Sequence, residues 1–171
     1  MLHAEPDASL PDLAAGALDA AIVYTHPQLP GSIPDGLGST SLVDDPIRVA
    51  LPADHAAAAR DAVPFESLKD EGFIGGASFK RAMCRAHGGF DPQIVCHSAD
   101  VAFSCSLVNA GAGVSIMPQL LADTAPADVV LRDLVPAPAP RALLAVYRAS
   151  AADLIGVRAA VSALRDAASE R

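Results

Sequence analysis

Apolar positions along this chain fall into short runs of two kinds, and the two kinds alternate. Leu18 to Tyr24 is apolar except for Asp19, the composition of a strand buried in a parallel sheet. Ahead of it, Ser9-Leu10-Pro11-Asp12 reads as a helix start. Ser9 is the cap, Pro11 lies in the first turn, Leu10 and Leu13 share a face, and Gly16 closes the helix. Leu2 to Glu5 is a candidate strand before that helix. From Thr25 to Ser41 three prolines and three glycines mark a long loop.

Beyond the loop, Leu42 to Leu51 reads as an extended segment broken at Asp44-Asp45-Pro46. Short elements follow: a helix over Pro64 to Asp70, a strand at Gly72-Phe73-Ile74, and a helix from Ser78 to Ala86 ended by Gly88-Gly89. Gln93 to His97 is the next strand. Ser98 is then placed to cap a helix running to Ala110, with Val101, Cys105 and Val108 on one face and Gly111 as its stop. Val114 to Met117 is a buried strand closed by Pro118, and Val129 to Leu131 another, before the linker Pro136-Ala-Pro138-Ala-Pro140. After the strand Leu143 to Tyr147, Leu154, Val157, Val161, Leu164 and Ala168 recur at the spacing of an amphipathic helix over Ala152 to Ala168. Helix and strand thus alternate, which predicts an α/β fold with largely parallel sheet covered by helices.

The candidate chemistry is sparse. Gly111-Ala112-Gly113 ends a helix and opens a strand, the reverse of a dinucleotide fingerprint, so it reads as a helix stop and tight turn. His55 beside Asp54 has no Gly-x-Ser-x-Gly elbow to serve, and it reads as a turn residue. The five histidines are scattered, and adjacent Cys96 and His97 point to opposite faces of a strand, so no metal and no cofactor are expected. Cys84, Cys96 and Cys105 form an odd set without C-x-x-C spacing, which predicts core thiols rather than disulfides or a redox pair. One segment stands apart. Gly75-Gly76-Ala77-Ser78 follows a short strand and precedes a helix carrying Lys80 and Arg81, and ligands of parallel α/β sheets sit at that strand end.

Charge and composition narrow the partners. The net charge is −8, without a Lys/Arg stripe, which argues against this chain gripping nucleic acid. No basic and apolar leader opens the sequence, and no run reaches the roughly 18 apolar residues of a membrane span. A cytoplasmic protein is expected, without catalytic residues, since the strand ends offer mostly Gly, Ala, Ser and Pro.

Six segments, in order along nearly the whole chain, resemble the effector-binding domain of the LysR-type transcriptional regulators. They are Glu5-Pro6-Asp7 with Leu10 to Leu13; Ala15-Gly16-Ala17-Leu18-Asp19-Ala20-Ala21-Ile22; Leu42 to His55; Phe65 to Ile74; Gly89 to Ile94; and Leu107-Val108-Asn109-Ala110-Gly111-Ala112-Gly113-Val114-Ser115-Ile116-Met117-Pro118. The resemblance implies two Rossmann-like lobes joined by two crossover strands, a type 2 periplasmic-binding-protein-like architecture. The first lobe would comprise residues 1–46 with 142–171, incomplete at its N-terminus, and the second residues 47–141. The chain opens at what resembles the family's second strand, so Leu18 to Tyr24 is expected to lack a pairing edge, and the fragment to be less stable than a longer chain.

The same resemblance implies a small-molecule effector held by Pro6 and Asp7 of the first lobe and by Gly76, Ala77 and Ser78 of the second, with Asp100 as a further contact; the Ser78 hydroxyl and the helix start behind the turn make a carboxylate the candidate. DNA would be bound through a winged helix-turn-helix outside this sequence, and the full regulator would be a homo-oligomer. A stand-alone solute-binding protein of the same bilobal architecture is the alternative, and it would ordinarily carry an export signal.

Overall fold

The computed structural model describes residues 6–29, 31–122 and 125–169. The chain forms two compact units, Met1–Asp44 with Arg141–Arg171, and Asp45–Pro140. The candidate strand Leu2 to Glu5 lies outside the described residues.

The first unit holds α1 (Pro6–Ala15), β1 (Ala20–Thr25), β2 (Leu37–Asp45, whose last residue belongs to the second unit), β9 (Arg141–Arg148) and α5 (Ile155–Ser169). Its sheet runs β1-β9-β2. Leu13, Val23 and Val146 are buried at its centre, with Leu10, Leu18 and Leu144 packed around them. Helix α1 begins at Pro6, so Ser9 lies inside it as a buried residue and Pro11 is mid-helix. The chain commits to helix before the serine that was expected to cap it. Its end is as expected. Gly16 has φ +83°, its N–H reaches the Leu13 carbonyl at 3.1 Å, and Ala17 N–H reaches the Asp12 carbonyl at 2.9 Å, the paired bonds of a glycine C-cap. The Arg148 guanidinium, coming from the end of β9, donates to the carbonyls of Leu13 and Leu18, so a cation stands at the negative end of α1.

The second unit holds β3 (Ile47–Pro52), β4 (Ala62–Pro64), β5 (Gly72–Ile74), α2 (Ala77–Met83), β6 (Gln93–Cys96), α3 (Val101–Asn109), β7 (Ser115–Pro118), α4 (Gln119–Ala122) and β8 (Val129–Val135). Four strands run in the order β4-β8-β3-β7, and β5 pairs with β6. A parallel bridge between Phe73 and Val114 joins the two groups through β5 and β7. Phe65, Leu68, Phe73, Met83, Ile116 and Leu134 are fully or almost fully buried on this sheet.

The sheets are mixed rather than largely parallel. Strand β1 is antiparallel to β9, and β3 is antiparallel to both β7 and β8; only β4–β8 and β5–β6, with the β5–β7 bridge, are parallel. Strand β3 follows β2 directly through Pro46 and β9 follows β8 through the proline linker, with no helix between, so neither is constrained to the parallel sense that a helical crossover imposes. Further differences are local. The expected helix over Pro64 to Asp70 is a 3-10 turn, Phe65–Leu68, preceded by the unforeseen strand β4. Strand β2 begins at Leu37, inside the expected loop. Strand β8 extends to Val135. Helix α4, missed in the sequence, starts where the Asp45 carboxylate accepts from Leu120 N–H at 2.9 Å and the Pro46 carbonyl from Gln119 N–H at 2.8 Å.

Gly113 lets β7 approach β5, and Gly72 leaves room for the Val95 side chain of β6. A Cβ on Gly113, at φ +152°, would collide with the Gly72 carbonyl oxygen, which itself accepts the Val114 N–H at 2.8 Å. Gly113→Ala is expected to destabilise the domain by roughly 2–5 kcal/mol, the sum of a strained backbone and a forced separation, read as a fall in urea midpoint. At α3 the cap is Asp100 rather than Ser98: its carboxylate accepts the Phe103 N–H at 3.1 Å, while the Ser98 hydroxyl accepts the Asp100 N–H. Asp100→Ala is expected to cost about 1 kcal/mol and Ser98→Ala less, a ranking that thermal melts of the two variants check.

Candidate functional site

Strands β5, β6 and β7 are parallel, so their carboxyl ends share one edge of the sheet. The segment Gly75 to Ser78 leaves β5 at that edge, and the segment from His97 to Asp100 leaves β6. Gly75 takes φ +114°, a conformation that glycine reaches without strain, and its N–H donates to the Cys96 carbonyl at 3.0 Å. Gly76 precedes α2 in an extended conformation, and its carbonyl accepts the Lys80 N–H. A Cβ on Gly76 would meet nothing within 4 Å, so the turn faces open space. Ala77 is buried and Ser78 exposed. The backbone N–H groups of a first helical turn have no intrahelical acceptor. The turn therefore offers donors and a hydroxyl on an accessible surface.

Of the six predicted ligand residues, the structure brings Gly76, Ala77 and Ser78 together on this turn. Asp100 stands at the same sheet edge with a carboxylate oxygen committed to capping α3. Pro6 and Asp7 open α1 in the other unit, and their side chains lie outside the described residues.

Sequence reading gave Lys80 only a passing role, yet it is the most unusual side chain near the turn. It is 7% exposed, on the buried face of α2 with Ala77 and Met83. Its Nζ lies directly against Gly75, where a Cβ would stand 2.7 Å away, and the Ser115 Oγ lies 3.7 Å from the same point. Burial lowers its pKa to about 8, with the neighbouring Cys84 and Cys105 acting in the opposite sense. The spacing Ala77, Lys80, Met83 was the available signal, since residues three apart share a helix face.

Two of the three cysteines are the core thiols expected, and Cys96 is only partly buried. Cys84 and Cys105 are fully buried, and burial pushes the Cys84 thiol up to about 12 and raises Cys105 as well. The Cys105 thiol packs on the Met117 sulfur at 3.9 Å. His55 is held in its turn, with Nδ1 accepting the Ala57 N–H at 3.1 Å and Nε2 facing the Glu71 carboxylate at 3.1 Å. Gly111, at φ +74°, ends α3 with the same pair of bonds as Gly16 ends α1. Among the described residues no group of three or more His, Cys, Asp or Glu is placed to hold a metal, and no helix is long and apolar enough to cross a membrane. A groove of about 400 Å³ in the first unit, lined by Tyr147, Val157, Val161 and Arg165 among others, contains none of the predicted site residues. Its lining also includes the charged side chains of Arg158 and Asp166.

The model of the LysR substrate binding domain matches residues 1–169. No curated protein gives a significant sequence match. Among solved structures, the C-terminal domain of a probable LysR family transcriptional regulator from Rhodococcus sp. RHA1 is similar with a TM-score of 0.78 and 22% identity, over 95% of this chain and 81% of that one. The Corynebacterium glutamicum OxyR C206 mutant gives a TM-score of 0.77 and 20% identity over 98% of this chain and 53% of that one, so this chain spans about half its length. The CcmR regulatory domain of Synechocystis PCC6803, in complex with 2-PG, gives a TM-score of 0.78 and 16% identity over 96% of this chain and 80% of that one. At these identities the structures speak for the shared fold, whereas the family model covers the sequence almost end to end. The chain belongs to the LysR substrate-binding domain family, and it is the effector-binding domain of a LysR-type transcription regulator.

Proposed function

We propose that this domain senses a small anionic effector, a carboxylate, which it binds at the Gly76-Ala77-Ser78 turn without transforming it. The observation that carries the reading is the open turn at the common carboxyl edge of β5, β6 and β7, where Gly76 brings no side chain between a ligand and the backbone. Ser78 supplies a hydroxyl, and hydrogen bonds to a charged group contribute about 1.5–3 kcal/mol each before desolvation is subtracted. Asp100 is a further contact for a donor group on the effector, through the carboxylate oxygen left over from the α3 cap. The roles of Pro6 and Asp7 rest on the family resemblance. That a domain of the same fold is held in complex with 2-PG supports a small-molecule site.

The domain is assigned to the cytoplasm, as the sensing part of a homo-oligomeric regulator. Effector binding would shift the population of the sensing domain, and a DNA-binding head outside this sequence would read out that shift. The acidic chain has no part in gripping DNA. In a low-salt gel-shift titration the 171-residue chain is expected to give no sequence-specific complex at submicromolar concentration, and such a complex would overturn this division of labour.

A thermal-shift screen of small carboxylates tests the site. A binding carboxylate at one hundred times its dissociation constant stabilises the domain by about 2.7 kcal/mol, and Ser78→Ala is expected to need roughly ten-fold more ligand for the same shift. Identical responses of Ser78→Ala and wild type would make the turn a purely structural βα connection.

A further inference from the structure

The sequence contains ten arginines and two lysines, so this chain carries nearly all its positive charge as guanidinium. One of the two lysines, Lys69, is exposed, and the other is Lys80, buried among apolar side chains. An ammonium taken out of water is stable only when an opposite charge or strong acceptors replace its hydration. Among the described residues no carboxylate and no hydrogen-bond acceptor is paired with the Lys80 Nζ, which stands 5.8 Å from the centroid of the Phe79 ring. The thiols of Cys84 and Cys105 nearby are held in their neutral form by burial, and the Ser115 hydroxyl donates its proton to the Ile74 carbonyl at 2.8 Å. The fold therefore leaves a cation without a counter-charge in a largely buried position, immediately behind the turn that faces open space at Gly76. Gly75 and Gly76 put no side chain of their own between that cation and the open side.

We propose that the Lys80 ammonium is the counter-charge for the anionic group of the effector, so that an arriving anion satisfies a buried cation that the empty domain leaves unpaired. This rests on the effector-site reading above and deepens it. Its consequence is regulatory: the empty domain is held below its attainable stability, and anion binding tightens the packing of α2 on β5 and β7.

The two readings of this lysine predict opposite signs. If Lys80 served packing alone, Lys80→Met would melt lower than the wild type. As an unpaired charge in the empty domain, its replacement by an apolar chain of similar length is expected to leave melting unchanged or raise it by a few degrees, and to weaken the response to a small anion at least ten-fold. The pH dependence follows from linkage. The unfolded chain keeps the Lys80 proton up to its ordinary value of 10.5, while the folded domain releases it near 8. Between those values the unfolded state binds more protons, so this group makes the empty domain more stable as pH rises from 8, while anion binding weakens. Cys84 acts the other way above pH 9, since the folded thiol keeps a proton to about 12 that the unfolded thiol sheds near 9.0. The lysine is therefore read between pH 8 and 9, and Lys80→Met is expected to abolish the rise there.

Having two lysines makes the direct measurement simple. In the 171-residue chain labelled with ¹³C-lysine, the Cε resonances of Lys80 and Lys69 are titrated with and without formate, acetate, chloride and nitrate at constant ionic strength. A midpoint for Lys80 that rises by a unit or more with an anion, beside an unmoved Lys69, supports the proposal. A Lys80 midpoint indifferent to every anion, or a Lys80→Met variant that melts lower than the wild type, overturns it. If carboxylates stabilise wild type and Lys80→Met equally but not Ser78→Ala, the effector reading stands and this inference falls. If chloride or nitrate raises the Lys80 midpoint while no carboxylate shifts melting, the anion site stands and the carboxylate reading falls.

Discussion

The second unit depends on a close approach of bare backbone. Strand β5 is three residues long, and it lies between β6 and β7 because Gly72 and Gly113 bring no side chains to the contact. That approach places Ile74 N–H on the Val114 carbonyl and Val114 N–H on the Gly72 carbonyl, each at 2.8 Å, while Gly75 N–H reaches Cys96. These few bonds join β5–β6 to the four-stranded group and bury Phe73 and Ile74 completely. They also fix where the chain leaves the sheet, and hence where the Gly75–Ser78 turn and the start of α3 stand. A side chain at position 113 would act on the ligand turn as well as on the core, because both hang from the same strand.

Around that turn the interior polar groups divide into two sorts. Asp45 and Ser115 have backbone partners: Asp45 tethers the first turn of α4, and Ser115 donates to the carbonyl of Ile74. Arg48, partly exposed, pairs with Asp133 and donates to Gln119 at 2.9 Å, tying β3 to β8 and to α4. These satisfied groups belong to the architecture, since a buried polar atom without a partner costs more than its hydrogen bond contributes. Lys80 belongs to the other sort. Its surroundings are the Phe79 ring, two neutral thiols, the Ser115 hydroxyl and glycine backbone, and burial among them disfavours the charge it carries at neutral pH. Native folds retain such costs mainly where function uses them, and here the cost lies beside the ligand turn.

The first unit shows how little the alternation of elements says about strand direction. Its β1–β9 pairing is antiparallel over six residues, from Ala20 opposite Tyr147 to Thr25 opposite Ala142. Val23 is buried against Leu13 and Val146, while Ile22, on the other face of the strand, is 52% exposed. Leu18 to Tyr24 therefore has the composition of a strand buried on both faces and the burial of one covered mainly on one. Composition records what a strand tolerates. The neighbours decide what is covered.

What the sequence determined by itself is the set of local signals that physics enforces within a few residues. The stops at Gly16, Gly89 and Gly111 all hold as left-handed glycines, and Gly72-Phe73-Ile74 is a strand with the bounds its pattern implies. The buried thiols and the family's motif order were legible too, because apolar context and residue spacing are properties of the linear chain. The ligand turn was partly legible, since two glycines and a serine after a strand can be read in line. Only the tertiary structure decided the antiparallel sense of β1–β9 and β3–β7–β8, because no spacing encodes the direction from which a connecting strand returns. It alone put Asp100 rather than Ser98 on the α3 cap, a choice set by backbone angles at one residue. It alone made Asp45 the anchor of α4, through a contact between positions 75 residues apart. And it alone buried Lys80, whose burial is set by α2 settling on β5 and β7, because a lysine in a short amphipathic helix looks the same in sequence whether its charge meets water or the back of a bare glycine turn.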